Sequence, residues 1–201
     1  YRKLRKACAL NHITIYAFVF SCFAKTVMKY VNDNDIIIGT YMNSREAMDN
    51  SCMNTIGFIT NMAGIRFVDR NQSLFDFVTD TQRNINESME HIAMPYHIIY
   101  ETLDEEDMKK GKLYEMTFNY IFEREERVSR TGMKYNFMEI GEESISIPFA
   151  MKGFERDNEV VLRIKYCEQI YSPEYIQVFS RSFNAVVEEA LKAMEYESET
   201  A

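Results

Sequence analysis

Apolar and polar positions alternate along the chain in blocks whose spacing predicts both helices and strands. Residues 2–10 read as a short helix ending near Asn11. Thr14 is placed to cap a second helix running to Val31, with Phe18, Cys22 and Lys25 on one stripe and Ile15, Val19, Phe23 and Val27 on another. A helix apolar on most sides belongs between a sheet and other elements. Asn32-Asp33-Asn34-Asp35 reads as a turn, and Ile36-Ile37-Ile38 as a strand covered on both faces that ends at Gly39. The stretch from Arg45 to about Asn54 suits a short helix or a loop. Residues 56–68 read as extended, with a break at Ala63-Gly64. Ser73 caps a helix with the stripe Leu74, Phe77, Val78, Thr81, Ile85, Ser88 and Ile92. Pro95 should end it near Ala93, with another helical segment over Tyr96–Leu103.

In the second half, Met116, Phe118 and Tyr120 alternate with Thr117, Asn119 and Ile121 as in a strand. Residues 123–136 are highly charged and predict a mobile loop. Ser144–Phe149 and Glu159–Tyr166 read as strands joined through Gly153–Asn158. Ser172-Pro173 opens a last helix, faced by Tyr175, Val178, Phe179, Phe183, Val186, Val187, Ala190 and Leu191. The tail 195–201 is polar and expected to fray. The pattern suits an α/β (α+β sandwich) architecture, one mixed β-sheet packed with helices.

Composition narrows the function classes. With 46% hydrophobic residues and only three prolines and seven glycines, the 201 residues suit one domain, or one lobe of a larger one. A net charge of -8 and no basic face argue against nucleic-acid binding. The longest apolar stretch, Ile15–Val31, carries Lys25 and Lys29 and suits a core helix better than a membrane span. Cys8, Cys22, Cys52 and Cys167 form no C-x-x-C pair, which excludes a zinc knuckle and a disulfide framework and suggests a reducing cytoplasmic setting. The chain opens on Tyr1 without an initiator methionine, which suggests a fragment. His12, His91 and His97 stand apart at no metal spacing, and no phosphate loop or nucleophile elbow is present. Two segments are unusual for packing alone: Ile56-Gly57-Phe58-Ile59-Thr60-Asn61-Met62, with glycine and asparagine inside an apolar run, and His91-Ile92-Ala93-Met94-Pro95-Tyr96. Each also has a plain explanation, a bulge with Asn61 on a local backbone group in the first and an ordinary helix end in the second.

Taken together and in order, these segments resemble the condensation domains of nonribosomal peptide synthetases. Asp35-Ile36-Ile37-Ile38-Gly39-Thr40 with Arg45 is similar to their D-I-V-I-G-T … R stretch. Ile56-Gly57-Phe58-Ile59-Thr60-Asn61 with Arg66 resembles I-G-x-F-V-N-T … R, and His91 to Tyr96 resembles H-Q-D-x-P-F-E. The resemblance implies a chloramphenicol-acetyltransferase-like fold of two lobes, of which this chain would be the C-terminal one. The acceptor amine attacks the donor thioester, each substrate being carried on the phosphopantetheine of a peptidyl carrier domain, with an adenylation domain adjacent. No cofactor or metal is implied for this chain itself.

The family's His-His-x-x-x-Asp-Gly motif belongs to the N-terminal lobe and does not occur here. The resemblance therefore implies no catalytic residue in these 201 residues and an inactive isolated fragment. It places Asn61, Gly57, Gly39 and Thr40 along the substrate tunnel and makes Arg45, Arg66, His91 and Pro95 structural. Met62 stands where threonine is usual, Ile92-Ala93 replace Gln-Asp, His97 replaces glutamate, and the later R-D-x-S-R-N-P-L motif is not recognisable in Glu105–Tyr114. These departures leave open an epimerisation or cyclisation relative, or a non-catalytic recruiting domain. Substrates and product are not legible.

Overall fold

The computed structural model describes residues 1–47, 50–106, 113–122, 147–156 and 158–200. The expected loop 123–136 and the first residues of the expected strand at Ser144 lie outside them. Five strands form one sheet in the order β2-β1-β3-β4-β5: β1 (Asp35–Asn43), β2 (Thr60–Val68), β3 (Met116–Phe122), β4 (Phe149–Arg156) and β5 (Glu159–Tyr166). The β1–β2 and β4–β5 pairs are antiparallel; β1–β3 and β3–β4 are parallel. The helices are α1 (Arg2–Leu10), α2 (Ile15–Val31), α3 (Leu74–Glu90), α4 (Tyr96–Glu101) and α5 (Pro173–Thr200). The mixed sheet with helices is the architecture that the apolar spacing predicts.

Local chemistry accounts for the helix ends. The Thr14 hydroxyl accepts from the Ala17 amide and the Ser73 hydroxyl from the Asp76 amide, each satisfying an N–H the first turn leaves open. Asn32 closes α2 in the left-handed region at φ 53°, a conformation asparagine tolerates better than most residues. The Ser172 hydroxyl accepts the Tyr175 amide where Pro173 opens α5. That helix continues to Thr200, through most of the segment expected to fray.

The core lies on one face of the sheet. Phe18, Phe20 and Phe23 of α2 are fully buried, and Phe20 packs on Phe118 of β3 at 4.7 Å and on Phe67 of β2 at 4.9 Å. Phe179 of α5 and Phe77 of α3 close the cluster on either side. Lys25, on the stripe of α2 with Phe18 and Cys22, lies largely buried over the Phe77 ring and is paired with Asp69 just beyond β2. Among the described residues no single helix is long and apolar enough to cross a membrane.

Several expectations are corrected. Ile37 is 40% exposed, because among the described residues the packed helices lie on the face of β1 that carries Ile36 and Ile38. Neither Gly39 nor Ala63-Gly64 interrupts a strand: β1 runs on to Asn43, and the register from Asp35↔Val68 to Asn43↔Thr60 is unbroken, so Asn61 sits in no bulge. Residues 56–59 precede β2 instead of extending it. Gly153 lies inside β4, where a Cβ would come within 2.5 Å of the Tyr120 ring; the turn into β5 comes later, at Asn158, with φ 62°. In α5, Val178 is exposed and Met194 is a core residue that the expected face left out.

Candidate functional site

The segments singled out from the sequence meet at one end of the β1–β2 pair. Asn61 lies opposite Met42 in the ladder. Its side-chain NH2 donates to the carbonyls of Ile92 (2.9 Å) and Met94 (2.6 Å). Its Oδ1 accepts from the amides of Met62 (2.9 Å) and Tyr96 (3.4 Å). All four capacities that an amide side chain offers are engaged by the backbone. Asn61 thereby ties the edge strand to the turn between α3 and α4, some thirty residues away in sequence. Of its four partners only the Met62 amide is local; the other three lie in the 91–96 turn.

That turn has its own logic. His91 caps the C-terminus of α3, and its amide donates to Ser88 and Met89 carbonyls. Pro95, at φ -66°, starts α4 without an N–H to satisfy. Ile92 is buried between them, while His91 is exposed. Among the described residues no carboxylate contacts the His91 ring, so it has no partner to orient it as a base.

On the sheet face away from the core, Gly39 and Gly64 oppose each other across β1 and β2. Together they form a notch filled by the ring of Tyr114, which is 6% exposed. A Cβ on Gly39 would stand 2.4 Å from that ring. Tyr114 donates its hydroxyl to the Met62 sulfur at 3.4 Å and packs on Tyr96 at 5.4 Å. Burial first, and the neighbouring Tyr96 second, raise its phenol above the ordinary tyrosine range. Thr40, next to Gly39 and pointing into the core, shares a 2.9 Å hydrogen bond with Tyr16, whose phenol burial pushes up to about 12.

Arg45 and Gly57 also come together. The Arg45 guanidinium donates to the carbonyls of Cys52 (2.7 Å), Thr55 (2.7 Å) and Gly57 (3.2 Å). Gly57 itself faces open space, and a Cβ there would touch nothing within 4 Å. Arg66 lies apart, near the opposite end of β2, in a two-pronged ion pair with Asp35 (2.8 and 2.5 Å). That pair holds the Asp35 carboxyl below the usual range through its hydrogen bonds to Arg66. A groove of about 630 Å³ runs along β2 past Met62, Gly64 and Arg66, with Asn84, His91 and Met94 on its other wall.

Among the described residues the geometry offers no nucleophile–base pair. Among the described residues no His, Cys, Asp and Glu cluster could hold a metal ion. Tyr114 is the part of this region that sequence reasoning missed; Ile56, Phe58 and Tyr96 lie in the singled-out segments without a role of their own there. The spacing of two glycines in facing strands was the available signal for Tyr114, but it depends on knowing the register.

A family model described as Condensation domain matches residues 1–200. The chain belongs to the condensation-domain family. It is 20% identical over 195 residues to bacitracin synthase 3 of Bacillus licheniformis, covering 95% of this chain and 3% of that protein. Its fold superposes on a four-domain nonribosomal peptide synthetase bound to AMP and glycine with a TM-score of 0.80 at 17% identity, over 95% of this chain and 16% of that one. On the epimerization domain from the third module of tyrocidine synthetase B the TM-score is 0.71 at 16% identity, over 95% and 44%. The chain thus spans a small part of its multidomain relatives and less than half of an isolated domain of this fold. The fold is chloramphenicol-acetyltransferase-like, as the motif resemblance implies.

Proposed function

We propose that residues 1–201 form the C-terminal lobe of a condensation domain that joins carrier-bound aminoacyl or peptidyl thioesters in nonribosomal peptide synthesis. The observation that carries this reading is the pairing of two facts. The family match runs across the whole chain, yet the chain spans 44% of a solved domain of the same fold and contains no adjacent histidines. The other lobe then supplies the His-His-x-x-x-Asp-Gly motif. In the reaction the acceptor nitrogen bonds to the donor carbonyl carbon, the carbon–sulfur bond breaks, and the proton lost by the amine matches the one the departing thiolate gains.

In this reading the lobe contributes one wall of the tunnel. Gly39 and Thr40 support it from behind, since Tyr114 fills the notch at Gly39 and Thr40 points into the core, and Gly57 stands at its rim. Asn61 braces the wall through the 91–96 turn, because its own hydrogen bonds already go to the backbone. The phosphopantetheine arms of two peptidyl carrier domains reach the cleft between the lobes, and an adenylation domain lies beside the carrier. The test is a condensation assay on the full-length gene product with two loaded carrier domains. Formation of the amide supports the reading; an upstream segment without the histidine motif and no amide product would overturn it.

A second reading is a recruiting or epimerising relative of the same fold. The departures at Ile92, Ala93 and His97, in the turn that Asn61 holds, favour it. Carrier binding without amide formation, or inversion of a carrier-bound residue, would distinguish it in the same assay.

A further inference from the structure

Among the described residues β2 is an edge of the sheet, and along an antiparallel strand the backbone groups of successive residues point in opposite directions. The Ile59 carbonyl bonds to the Ser44 amide and the Asp69 amide to the Asn34 carbonyl, so the odd-numbered residues between them turn their N–H and C=O groups to β1. The even-numbered residues turn theirs outward. Two of these outward groups are taken by asparagine side chains. The Met62 amide donates to Asn61 Oδ1 at 2.9 Å, and the Arg66 carbonyl accepts from Asn84 Nδ2 at 3.1 Å. Between these caps lie the Met62 carbonyl, both backbone groups of Gly64 and the Arg66 amide, and no hydrogen bond from another described residue reaches them. They open onto the groove of about 630 Å³, whose far wall is α3 and the turn after it. That volume is in the range of roughly 300–1,000 Å³ that ligand pockets occupy. Gly64 is exposed and brings no side chain to screen its own backbone.

We propose that this stretch of edge is a strand-addition site for an extended peptide, the peptidyl chain of a carrier-bound donor. Naming the donor rests on the condensation reading above; the strand addition rests on the edge itself. An antiparallel peptide places one residue opposite Gly64 and exchanges two hydrogen bonds with it. The residues two places to either side reach the Met62 carbonyl and the Arg66 amide, a span of about five residues. Peptide N–H groups face β2 only at every second position. The two asparagines set the limits of the site, because each occupies an end of the edge as the peptide group of a neighbouring strand would. They also fasten the far wall, Asn84 from α3 and Asn61 through the Ile92 and Met94 carbonyls. Backbone pairing reads no particular side chain, so the site takes peptides of many sequences. A single aminoacyl group is too short to span it.

The test uses the full-length protein and a fluorescein-labelled pentaalanine amide, with binding followed by anisotropy. N-methylation of the peptide at its third or fifth residue should weaken binding by about tenfold, the net effect of one lost hydrogen bond, while N-methylation at the second or fourth leaves it unchanged. Gly64→Pro removes the outward N–H, a change that an edge strand tolerates, and should weaken the parent peptide by a similar factor. Gly64→Ala keeps that N–H and should bind as the unaltered protein does. A uniform response to N-methylation, or equal binding by the two Gly64 variants, would overturn strand addition; the scan uses the unaltered protein and decides even where the proline variant does not fold. In amide formation, a pentapeptidyl donor should show a lower KM than an aminoacyl one, an advantage lost in Gly64→Pro and kept in Gly64→Ala. No such advantage would overturn the assignment to the donor. Pantetheine, which has two amides of its own, should not displace the peptide; displacement at equal concentration would give the edge to the carrier arm and sink the proposal. If no donor yields an amide, the condensation reading fails and the donor assignment with it, while an alternating N-methyl pattern still supports strand addition.

Discussion

Gly39→Ala is a one-carbon test of how this sheet is packed. The new Cβ would lie 2.4, 2.6 and 2.7 Å from three carbons of the Tyr114 ring, against an ordinary contact of about 3.5–4.0 Å. The ring must therefore retreat by roughly 1 Å, yet it is 6% exposed and leans on Tyr96. Overpacking of this kind costs about 1–3 kcal/mol. Removing glycine's freedom from the unfolded chain offsets about 0.5–1 kcal/mol. The expected net loss is about 1–2 kcal/mol. In a Tyr114→Ala background the clash is gone, so the same substitution should be neutral or slightly stabilising. Urea titration by circular dichroism reads both backgrounds, since the protein has no tryptophan. Equal costs in the two backgrounds, within about 0.5 kcal/mol, would refute the steric reasoning.

Three further predictions concern the brace and the buried acids. Asn61→Ala should cost about 1–3 kcal/mol and speed exchange of the Tyr96 amide; Asn61→Asp should be worse, since it sets a carboxylate against the Ile92 and Met94 carbonyls. An aspartate variant more stable than the alanine one would reverse the assigned amide orientation. Burial pushes the Cys8 thiol up to about 12 and raises Cys22 as well, so at pH 8 a disulfide reagent should label Cys52 and Cys167 first and reach Cys8 and Cys22 only on unfolding. The same shifts make the folded state hold these protons more tightly than the unfolded one. Stability should be complete below pH 9, the ordinary thiol value, and decline as pH rises towards 12; a flat profile across that window would contradict the burial.

What could be read in advance was local. Thr14, Ser73 and Pro173 declare helix starts through groups within three residues of themselves, and the alternation over 116–121 sorts the two faces of β3 correctly. What could not be read depends on pairs distant in the chain. Gly39 looked like a strand end until Tyr114 was seen to occupy the space its missing side chain leaves. Gly153 looked like a turn for the same reason, with Tyr120 as the ring. The run Ile56-Gly57-Phe58 has the apolarity of a buried strand yet is exposed just before β2; hydrophobicity alone does not separate a core strand from an exposed connection. Asn61 was legible as unusual, and its partners at 92, 94 and 96 were not.

Lobe complementation tests the central claim most directly. Residues 1–201 and the polypeptide preceding them in the gene product, made separately, are mixed with a donor and an acceptor carrier domain, each loaded with an aminoacyl thioester. The account predicts no amide from either piece alone and amide formation when both are present. Turnover by residues 1–201 alone, or none from the two together when the intact protein is active, would contradict it.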